Sequence, residues 1–335
     1  MVCLLLFLAL LLCSCSCDLP QDTGHFRVLS YNVQNLFDTQ LDGTEYAEYQ
    51  DSKAWAQHSY RQRLKTLSQV VLHARLNLPD VLVLQEVENR SVVEDLLTYH
   101  LHRHGYQWFA TAKGEGDAIS VAIISRHPIK EAKVHTGAKG TRPILEATVG
   151  TEGEDVVLFA LHAKSQIGEF AQTEALRLEV ARTVTAAARQ REGSLILLCG
   201  DFNSDPSAVW EGGDVQTALV DVNHPTSMRY LHEGSIVLTG DRTEVSSLIW
   251  YSGYLDQGLG LGEKGSCNWD GSWHQYDQIL GNGHLFDRRG WEFSSFAVCD
   301  LPLCLEADGR PKAWNLQTLN GVSDHLPVLL TLSRL

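Results

Sequence analysis

The sequence is poor in basic residues. It contains 27 Lys and Arg against 41 Asp and Glu, which gives a formal net charge of −14 over 335 residues. Such an acidic protein is not suited to tight, non-specific binding of a polyanion. It also lacks a segment rich in Lys and Arg with interleaved aromatic residues that would fit a DNA groove. A divalent cation held by carboxylates could still bring the protein to a phosphate group.

Cysteine motifs of zinc proteins are also missing. The chain has eight cysteines, but it has no Cys-x-x-Cys pair and no Cys/His cluster, so a structural zinc site is not expected. Cys199 lies in an apolar run and is interpreted as a small buried hydrophobe. Cys267, Cys299 and Cys304 are close enough for one disulfide in an oxidising compartment, for example Cys299–Cys304, although the sequence does not fix the pairing.

Residues 1–17 have the features of an export leader. The apolar run Leu4–Leu12 is too short to span a bilayer and has the length of a signal-peptide core, although Lys and Arg are absent before it. Leu12-Cys13-Ser14-Cys15 resembles the lipobox of bacterial lipoproteins, in which the last cysteine is acylated, and Cys17 is a second candidate. We expect an exported protein that is lipid-anchored in the periplasm or outer membrane, with plain secretion as the alternative.

The remainder, residues 24–335, is predicted to be one domain. Charged residues make up 20% of the chain and apolar residues 44%, which is typical of a globular protein. No linker or internal repeat divides it. Strands alternate with helices in the first two thirds, while later strands follow one another without long helices, which predicts an α/β domain with mixed sheets. Residues 206–265 give no clear pattern.

Polar side chains follow a buried strand at the centre of the chain. The apolar run Leu195–Cys199 ends at Gly200, and Asp201 and Asn203 follow. This pattern is typical of a ligand site at the carboxyl end of a strand, and equally of an Asx turn that closes the strand.

Six apolar strands in all carry polar groups at or near one end. These groups are Asn32, Glu86, His162, Asp201 with Asn203, Asp277, and Asp324 with His325. Taken singly, each has an ordinary structural explanation, such as a strand-end cap, an ion-pair partner, a core histidine or a turn. Together they would form a site of oxygen ligands suited to Mg²⁺, Mn²⁺ or Ca²⁺ and of histidines suited to acid–base chemistry. Hydrolysis of a phosphate ester requires this combination.

The ordered motifs of the chain resemble the endonuclease/exonuclease/phosphatase family, which includes pancreatic DNase, AP endonucleases, neutral sphingomyelinases and inositol-polyphosphate 5-phosphatases. The matching stretches are Ser30–Val33, Leu84–Val87, Ile124–Ile129, Leu161–Ser165, Gly200–Asn203, Tyr276–Ile279 and Ser323–Val328. The resemblance implies a four-layer α/β sandwich, in which two packed mixed β-sheets are flanked by helices (DNase I-like).

The resemblance also implies roles for the residues that match. Glu86 would be the principal ligand of a Mg²⁺ ion (Mn²⁺ or Ca²⁺ being alternatives), with Asn32 beside it and Asp324 completing the metal or water shell. Asp201 would orient or deprotonate the attacking water. The remaining roles concern the phosphate: Asn203 would donate to it, His162 would contact it, and His325, held by Asp277, would contact it or act as the base.

The chain departs from the AP endonuclease pattern, because Gln34 stands where that branch has an acid two residues after the first Asn. Arg142 and Lys164 are candidates for contact with the substrate phosphate, or else surface residues that form ion pairs, and Asp117 is either a substrate-side residue or part of a turn.

We expect a monomeric, exported, metal-dependent phosphodiesterase, with nuclease activity favoured. The alternatives are a phospholipid or small-molecule phosphodiesterase and, from another class, a non-catalytic surface lipoprotein that binds a ligand.

Overall fold

Two β-sheets packed face to face form the centre of the fold. The computed structural model describes residues 24–50, 55–206 and 216–334. The strands are β1 (His25–Leu36), β2 (Val81–Val87), β3 (Trp108–Ala112), β4 (Ser120–Ser125), β5 (Ile129–His135), β6 (Ile144–Gly150), β7 (Asp155–His162), β8 (Leu195–Asp201), β9 (Leu219–Asp221), β10 (Ile236–Thr239), β11 (Ile249–Tyr251), β12 (Cys267–Trp269), β13 (Ser272–His274), β14 (Asp277–Gly281), β15 (Trp291–Val298) and β16 (Val328–Arg334). The described α-helices are α1 (Gln57–Val71), α2 (Arg90–Leu96), α3 (Phe170–Arg189) and α4 (Ser227–Glu233).

The six-stranded sheet has the order β15-β16-β1-β2-β4-β3, and the eight-stranded sheet has the order β5-β6-β7-β8-β14-β11-β10-β9. Apolar residues of both sheets share one core with those of α1 and α2, and α3 packs on the outer face of the eight-stranded sheet. Both sheets combine parallel and antiparallel pairs. The predicted four-layer α/β sandwich is therefore confirmed.

Strand direction explains why the polar strand ends meet. β1 and β2 run parallel, and so do β7 and β8, so that each pair ends at the same edge of its sheet. β14 and β16 run antiparallel to these strands and begin at that edge, since Asp277 pairs with Asp201 and Val328 pairs with Ser30. The ends of four strands and the beginnings of two others thus converge on one side of the sandwich.

Gly200 allows the close approach of β7 and β8 at this edge. Its φ is +145°, and a Cβ atom there would lie 2.0 Å from the carbonyl oxygen of Leu161. The neighbouring pair in the register is His162 and Asp201, so any separation of the strands at Gly200 would move both side chains.

We expect Gly200→Ala to lower the free energy of unfolding by about 2–4 kcal/mol, because backbone strain and a steric clash add together. Urea denaturation measures this loss. Gly193→Ala is the matched control, because Gly193 also has a positive φ (+92°) but a Cβ there would meet nothing within 4 Å. It should lose only about 1 kcal/mol. Equal losses in the two variants would contradict the steric explanation.

Several predicted elements differ from the observed ones. The sequence of β5 does not predict a strand, because five of its seven residues are exposed and it lacks an apolar run. Ser91 and Glu94 have the spacing of a capping box and predict a helix that starts after Ser91, but this prediction is wrong, since α2 begins at Arg90 and the side chain of Asn89 accepts a hydrogen bond from Val92 N. The sequence of residues 274–280 predicts one strand with Asp277 midway, but Asp277 begins β14, because His274 belongs to the separate β12–β13 hairpin.

The cysteines beyond the leader are free and buried. The suggested Cys299–Cys304 disulfide is therefore not formed. Burial raises the pKa of both thiols to about 12, and disulfide formation requires a thiolate. Cys199 packs in the core between the sheets, as predicted for a small hydrophobe.

None of the helices in the described ranges combines the length and apolar character needed to cross a bilayer. The predicted leader, residues 1–17, lies outside the described residues, so export and lipid anchoring remain predictions.

Candidate active site

A β-bulge presents the carboxylate of Glu86. The regular pairing of β1 with β2 stops at Asn32 and Gln85 and resumes at Leu36 and Val87. Between these positions Glu86 has a φ of +64°. The left-handed region is strained for residues other than glycine, and such strain is concentrated at functional sites. Glu86 Oε2 accepts a hydrogen bond from Asn35 N at 2.8 Å, which fixes the carboxylate at the edge of the sheet.

Asn32 joins the two sheets at this edge. Its Nδ2 donates to Glu86 Oε1 and to Asp201 Oδ2, both at 3.0 Å, while its Oδ1 accepts from Gln34 N at 3.0 Å. Asn32 was predicted to lie beside Glu86 as a metal ligand. In this arrangement it lies there, but it presents its amino group and not its oxygen to the carboxylates, and so holds them together.

Asp201 forms an Asx turn and also belongs to the polar cluster, which were the two alternatives predicted for it. Its Oδ1 accepts from Asn203 N at 2.8 Å, which is an Asx turn, and its Oδ2 faces Asn32. Asn203 has a φ of +49° and donates from Nδ2 to the carbonyl oxygen of Ala163 at 3.3 Å. The turn therefore positions the carboxylate within the cluster.

His325 and Asp277 form a buried pair. His325 Nδ1 lies 2.6 Å from Asp277 Oδ2, and Ser266 Oγ donates to the same oxygen at 2.6 Å. The other ring nitrogen, Nε2, lies 3.9 Å from Asp201 Oδ2. Asp277 thus orients the imidazole so that Nε2 faces the centre of the site.

His162 completes the cluster from β7. Its Nε2 lies 3.6 Å from Asp201 Oδ2 and 3.8 Å from Glu86 Oε1, which is beyond hydrogen-bonding distance. Its Nδ1 is buried and has no hydrogen-bond partner among the described residues. Buried polar atoms in native proteins normally have a partner, so Nδ1 is left unsatisfied, while Nε2 faces the carboxylates of the site.

Burial and neighbouring charges give the two histidines opposite protonation states. Burial lowers the pKa of His162 well below its ordinary value, and Arg142, His325 and Lys164 lower it further. Burial also opposes a charge on His325, but Asp277 and Cys267 together outweigh it and raise the pKa of His325 well above the ordinary value. The site therefore contains a neutral His162 and a cationic His325 at neutral pH.

The carboxylates at this edge hold their protons more tightly than usual. Burial raises the pKa of Asp201 to about 7, with Asp277 adding to the rise and His325 opposing it. Burial, followed by the charge of Asp324, raises the pKa of Glu86. A cation between these carboxylates would relieve their mutual repulsion.

The pKa of Asp201 predicts a pH-dependent stability. Since it rises from 3.8 to about 7 on folding, the native state binds the proton more tightly than the unfolded state, and ionisation of Asp201 destabilises the fold as pH increases through this window. In EDTA, wild type should therefore lose stability relative to Asp201→Asn between about pH 5 and about pH 8. Urea denaturation at both pH values measures this difference, and a constant difference would contradict the assignment.

Sequence reasoning missed the residues that hold the site together. Arg63 is buried and donates to the carbonyl oxygens of Val33 and Val322, which links the segment after Asn32 to the segment before His325. Gln34 Oε1 accepts from the main-chain N of Asp324 at 3.0 Å. A usable signal existed for Arg63, because it falls on the apolar face of α1 between Tyr60 and Leu67.

Two of the three predicted substrate-side residues, Arg142 and Lys164, lie near His162, whereas Asp117 lies in a turn. Arg142 donates from Nη1 to the carbonyl oxygen of Ala163 at 3.0 Å, and both Arg142 and Lys164 lie near enough to lower the pKa of His162. Asp117 closes a turn by donating from its main-chain N to Gly114 O at 3.2 Å. In the described parts of the chain, no hydrogen bond or ion pair connects Asp117 to the other site residues, which fits the alternative of a turn.

The donors at this edge fit a divalent cation. Glu86, Asp201 and Asp324 supply oxygen atoms of the type that Mg²⁺, Mn²⁺ and Ca²⁺ prefer. The ligand atoms of Asp201, Asp277 and His325 also lie within 4.8 Å of one another, as those of a metal site would. The short bond between His325 and Asp277 already occupies that histidine nitrogen, so the Glu86 side of the cluster is the better place for an ion.

Comparison with known proteins identifies the class. A model of the endonuclease/exonuclease/phosphatase family matches residues 27–224, which is 198 of the 335 residues (224 − 27 + 1). The chain therefore belongs to this family. No curated protein matches it significantly by sequence.

Solved structures share the fold at low sequence identity. TDP2 from D. rerio humanized by 14 mutations has 16% identity and a TM-score of 0.55, with 92% of this chain and 99% of that chain covered. D. rerio TDP2 complexed with single-strand DNA product gives the same values. A mannosyl-6-phosphatase from Bacteroides thetaiotaomicron has 16% identity and a TM-score of 0.54, with 92% and 99% of the chains covered.

Proposed function

We propose that this protein is a divalent-metal-dependent phosphoric ester hydrolase that cleaves phosphodiester bonds. The observation that carries the proposal is the pairing of His325 with Asp277 at 2.6 Å, with the second ring nitrogen of His325 lying 3.9 Å from Asp201 Oδ2. A cationic imidazole and a carboxylate with a pKa of about 7 are suited to phosphate binding and to proton transfer, respectively.

Each residue of the site has its own role in hydrolysis. Asp201 accepts the proton of the attacking water while the water oxygen bonds to phosphorus and the ester oxygen leaves. His325 binds the phosphate through Nε2, and neutral His162 and the amide of Asn203 donate further hydrogen bonds. Glu86 and Asp324 would hold the cation, which neutralises phosphate charge and stabilises the leaving oxygen.

A nuclease is the activity we favour. The fold is shared with a TDP2 that was crystallised with a single-strand DNA product. Arg142 and Lys164 lie beside His162 and would contact flanking phosphates. Because the chain has a net charge of −14, binding of a substrate with several phosphates requires local cations such as these.

A phospholipid or small phosphoester is the second candidate, and two exposed apolar side chains favour it. Trp269 is 63% exposed on the β12–β13 hairpin, whose residue Cys267 bridges to His325. Ile167 is 73% exposed and follows Gln166, which donates to Asn203 O. Apolar groups beside a polar site suit a substrate with an apolar part. A fold neighbour is a mannosyl-6-phosphatase.

An activity panel separates these candidates. Purified protein would be assayed on plasmid DNA, single-stranded DNA, RNA, sphingomyelin vesicles and sugar phosphates, with Mg²⁺ or with EDTA. Metal-dependent cleavage of nucleic acid whose affinity falls steeply with added salt supports the nuclease, whereas salt-insensitive turnover of a lipid or small ester supports the second candidate. Metal binding without turnover of any substrate would favour a non-catalytic binding protein and overturn the proposal.

We also propose that the chain is exported and carries an N-terminal lipid, on the basis of the leader pattern. Metabolic labelling with a radioactive fatty acid tests this, with a Cys15→Ser and Cys17→Ser double variant as the control. Labelling of the wild type alone supports a lipoprotein, and export without labelling supports plain secretion.

A further inference from the structure

A second group of carboxylates lies away from His325. Asp42 and Glu45 belong to the segment of residues 38–50 that leads from β1 towards α1, and Glu88 directly follows β2. One carboxylate oxygen of each lies within 4.8 Å of the other two. Two oxygens bound to one Ca²⁺ ion at about 2.3–2.6 Å can be no more than about 5 Å apart. The spacing therefore allows all three residues to share an ion.

Glu88 has an unsatisfied oxygen at this place. Its side chain is 0% exposed, and its Oε2 accepts from Asp38 N at 2.6 Å. Its Oε1 is buried and has no hydrogen-bond partner in the described ranges. A buried carboxylate oxygen without a partner is costly, and a cation bound by the three carboxylates would supply the missing interaction.

Acidic groups outnumber basic groups at this place. Lys113 lies beside the three carboxylates and contacts Asp42 Oδ2 at 3.2 Å and Thr44 Oγ1 at 3.0 Å. The Asp42 side chain is 44% exposed, so water can complete the coordination. An irregular, oxygen-only site open to water suits Ca²⁺ better than Mg²⁺, which demands a near-ideal octahedron.

We infer that Asp42, Glu45 and Glu88 form a second divalent-cation site, of the calcium type, that fixes the segment of residues 38–50 beside the active site. This segment carries Tyr46, whose ring packs against Phe37 at a centroid distance of 5.4 Å. The hydroxyl of Tyr46 lies in the field of both Glu86 and Arg142. An ion bound by Asp42, Glu45 and Glu88 would therefore fix the position of Tyr46 in one wall of the active site.

Terbium luminescence tests the inference directly, because Tb³⁺ replaces Ca²⁺ and is excited through nearby indole rings. Trp55 donates from Nε1 to the carbonyl oxygen of Asp38 at 2.7 Å and would serve as the antenna. In the Glu86→Gln background, which impairs the first site, we expect saturable luminescence that Ca²⁺ displaces. Adding Glu88→Gln or Asp42→Asn should weaken Tb³⁺ binding at least about tenfold, since even indirect partners of metal ligands change affinity by about 10–100-fold.

Two further variants complete the experiment. Glu94→Gln is the matched control, because Glu94 is an exposed acid on α2 that pairs with Arg90, and it should leave binding unchanged. Lys113→Gln should tighten binding, since it removes a competing cation.

Unchanged affinity in folded Asp42→Asn and Glu88→Gln proteins, or no displaceable luminescence, would overturn the inference. Circular dichroism verifies folding, and the partly exposed Asp42 provides a test if Glu88→Gln does not fold. Because the readout is binding, the result is independent of the proposed hydrolase activity.

Discussion

Replacement of His325 by alanine is expected to reduce kcat/KM for a phosphodiester by about 1000-fold, within the range of 10²–10⁴-fold typical of acid–base and charge-stabilising groups. The imidazole is cationic because Asp277 and Cys267 together outweigh the effect of burial on its pKa, and its Nε2 faces Asp201. Its loss removes a fixed positive charge from the place where the phosphate would bind. Steady-state kinetics of purified, folded variants measures the effect.

Two other variants show whether the effect is specific to the site. His127→Ala is the matched control, because His127 Nε2 also contacts a carboxylate, Asp80 Oδ1 at 3.1 Å. Asp80 directly precedes β2 and lies at the opposite end of that strand from Glu86. We expect kcat/KM to be unchanged there. Asp277→Asn should lower the pKa of His325, so that activity declines at a lower pH than in wild type. Equal activity in wild type and His325→Ala would contradict the assignment.

Replacement of Glu86 by glutamine is the second large effect that we expect. The substitution preserves the shape of the side chain but removes the charge that would hold the cation, and the bulge geometry would be retained. The apparent affinity for Mg²⁺ should fall by at least about 10–100-fold, and activity at a limiting Mg²⁺ concentration should fall with it. Calorimetric titration of Mg²⁺ measures the change.

Asp324→Asn provides a graded comparison for Glu86→Gln. Its charge adds to the rise in the pKa of Glu86, so it lies close enough to share the ion but was assigned a supporting role. We expect a smaller loss of Mg²⁺ affinity than in Glu86→Gln. An unchanged Mg²⁺ affinity in Glu86→Gln would show that the ion binds elsewhere, for example between Asp201 and Asp277.

The convergence of the site could be predicted from the sequence because buried strands leave a simple signal. β8 is buried along its whole length and β2 at six of seven positions. The sequence of each strand therefore contains a continuous apolar run, Leu195–Cys199 in β8 and Val81–Leu84 in β2, and the polar residues that follow the run are easy to recognise. The resemblance to the family then implied that these polar residues share one site. The pairing of Asp277 with Asp201 was visible only in the structure.

Features that depend on two distant segments could not be predicted. The left-handed conformation of Glu86 results from a mismatch in the register of β1 and β2, which no single segment encodes. The orientation of the Asn32 amide is set by Gln34 on one side and two carboxylates on the other. Residues 206–265 gave no pattern, since β9, β10 and β11 have only three or four residues each.

Hydrolysis of bis-p-nitrophenyl phosphate by wild type and Asp201→Asn is the decisive test of the proposed active site. Asparagine keeps the shape of Asp201 but cannot accept the proton of the attacking water. We expect that wild type releases p-nitrophenolate with Mg²⁺, that EDTA abolishes the reaction, and that Asp201→Asn is slower by about 1000-fold. Comparable metal-dependent rates in the two proteins would contradict the claim that this cluster performs the hydrolysis.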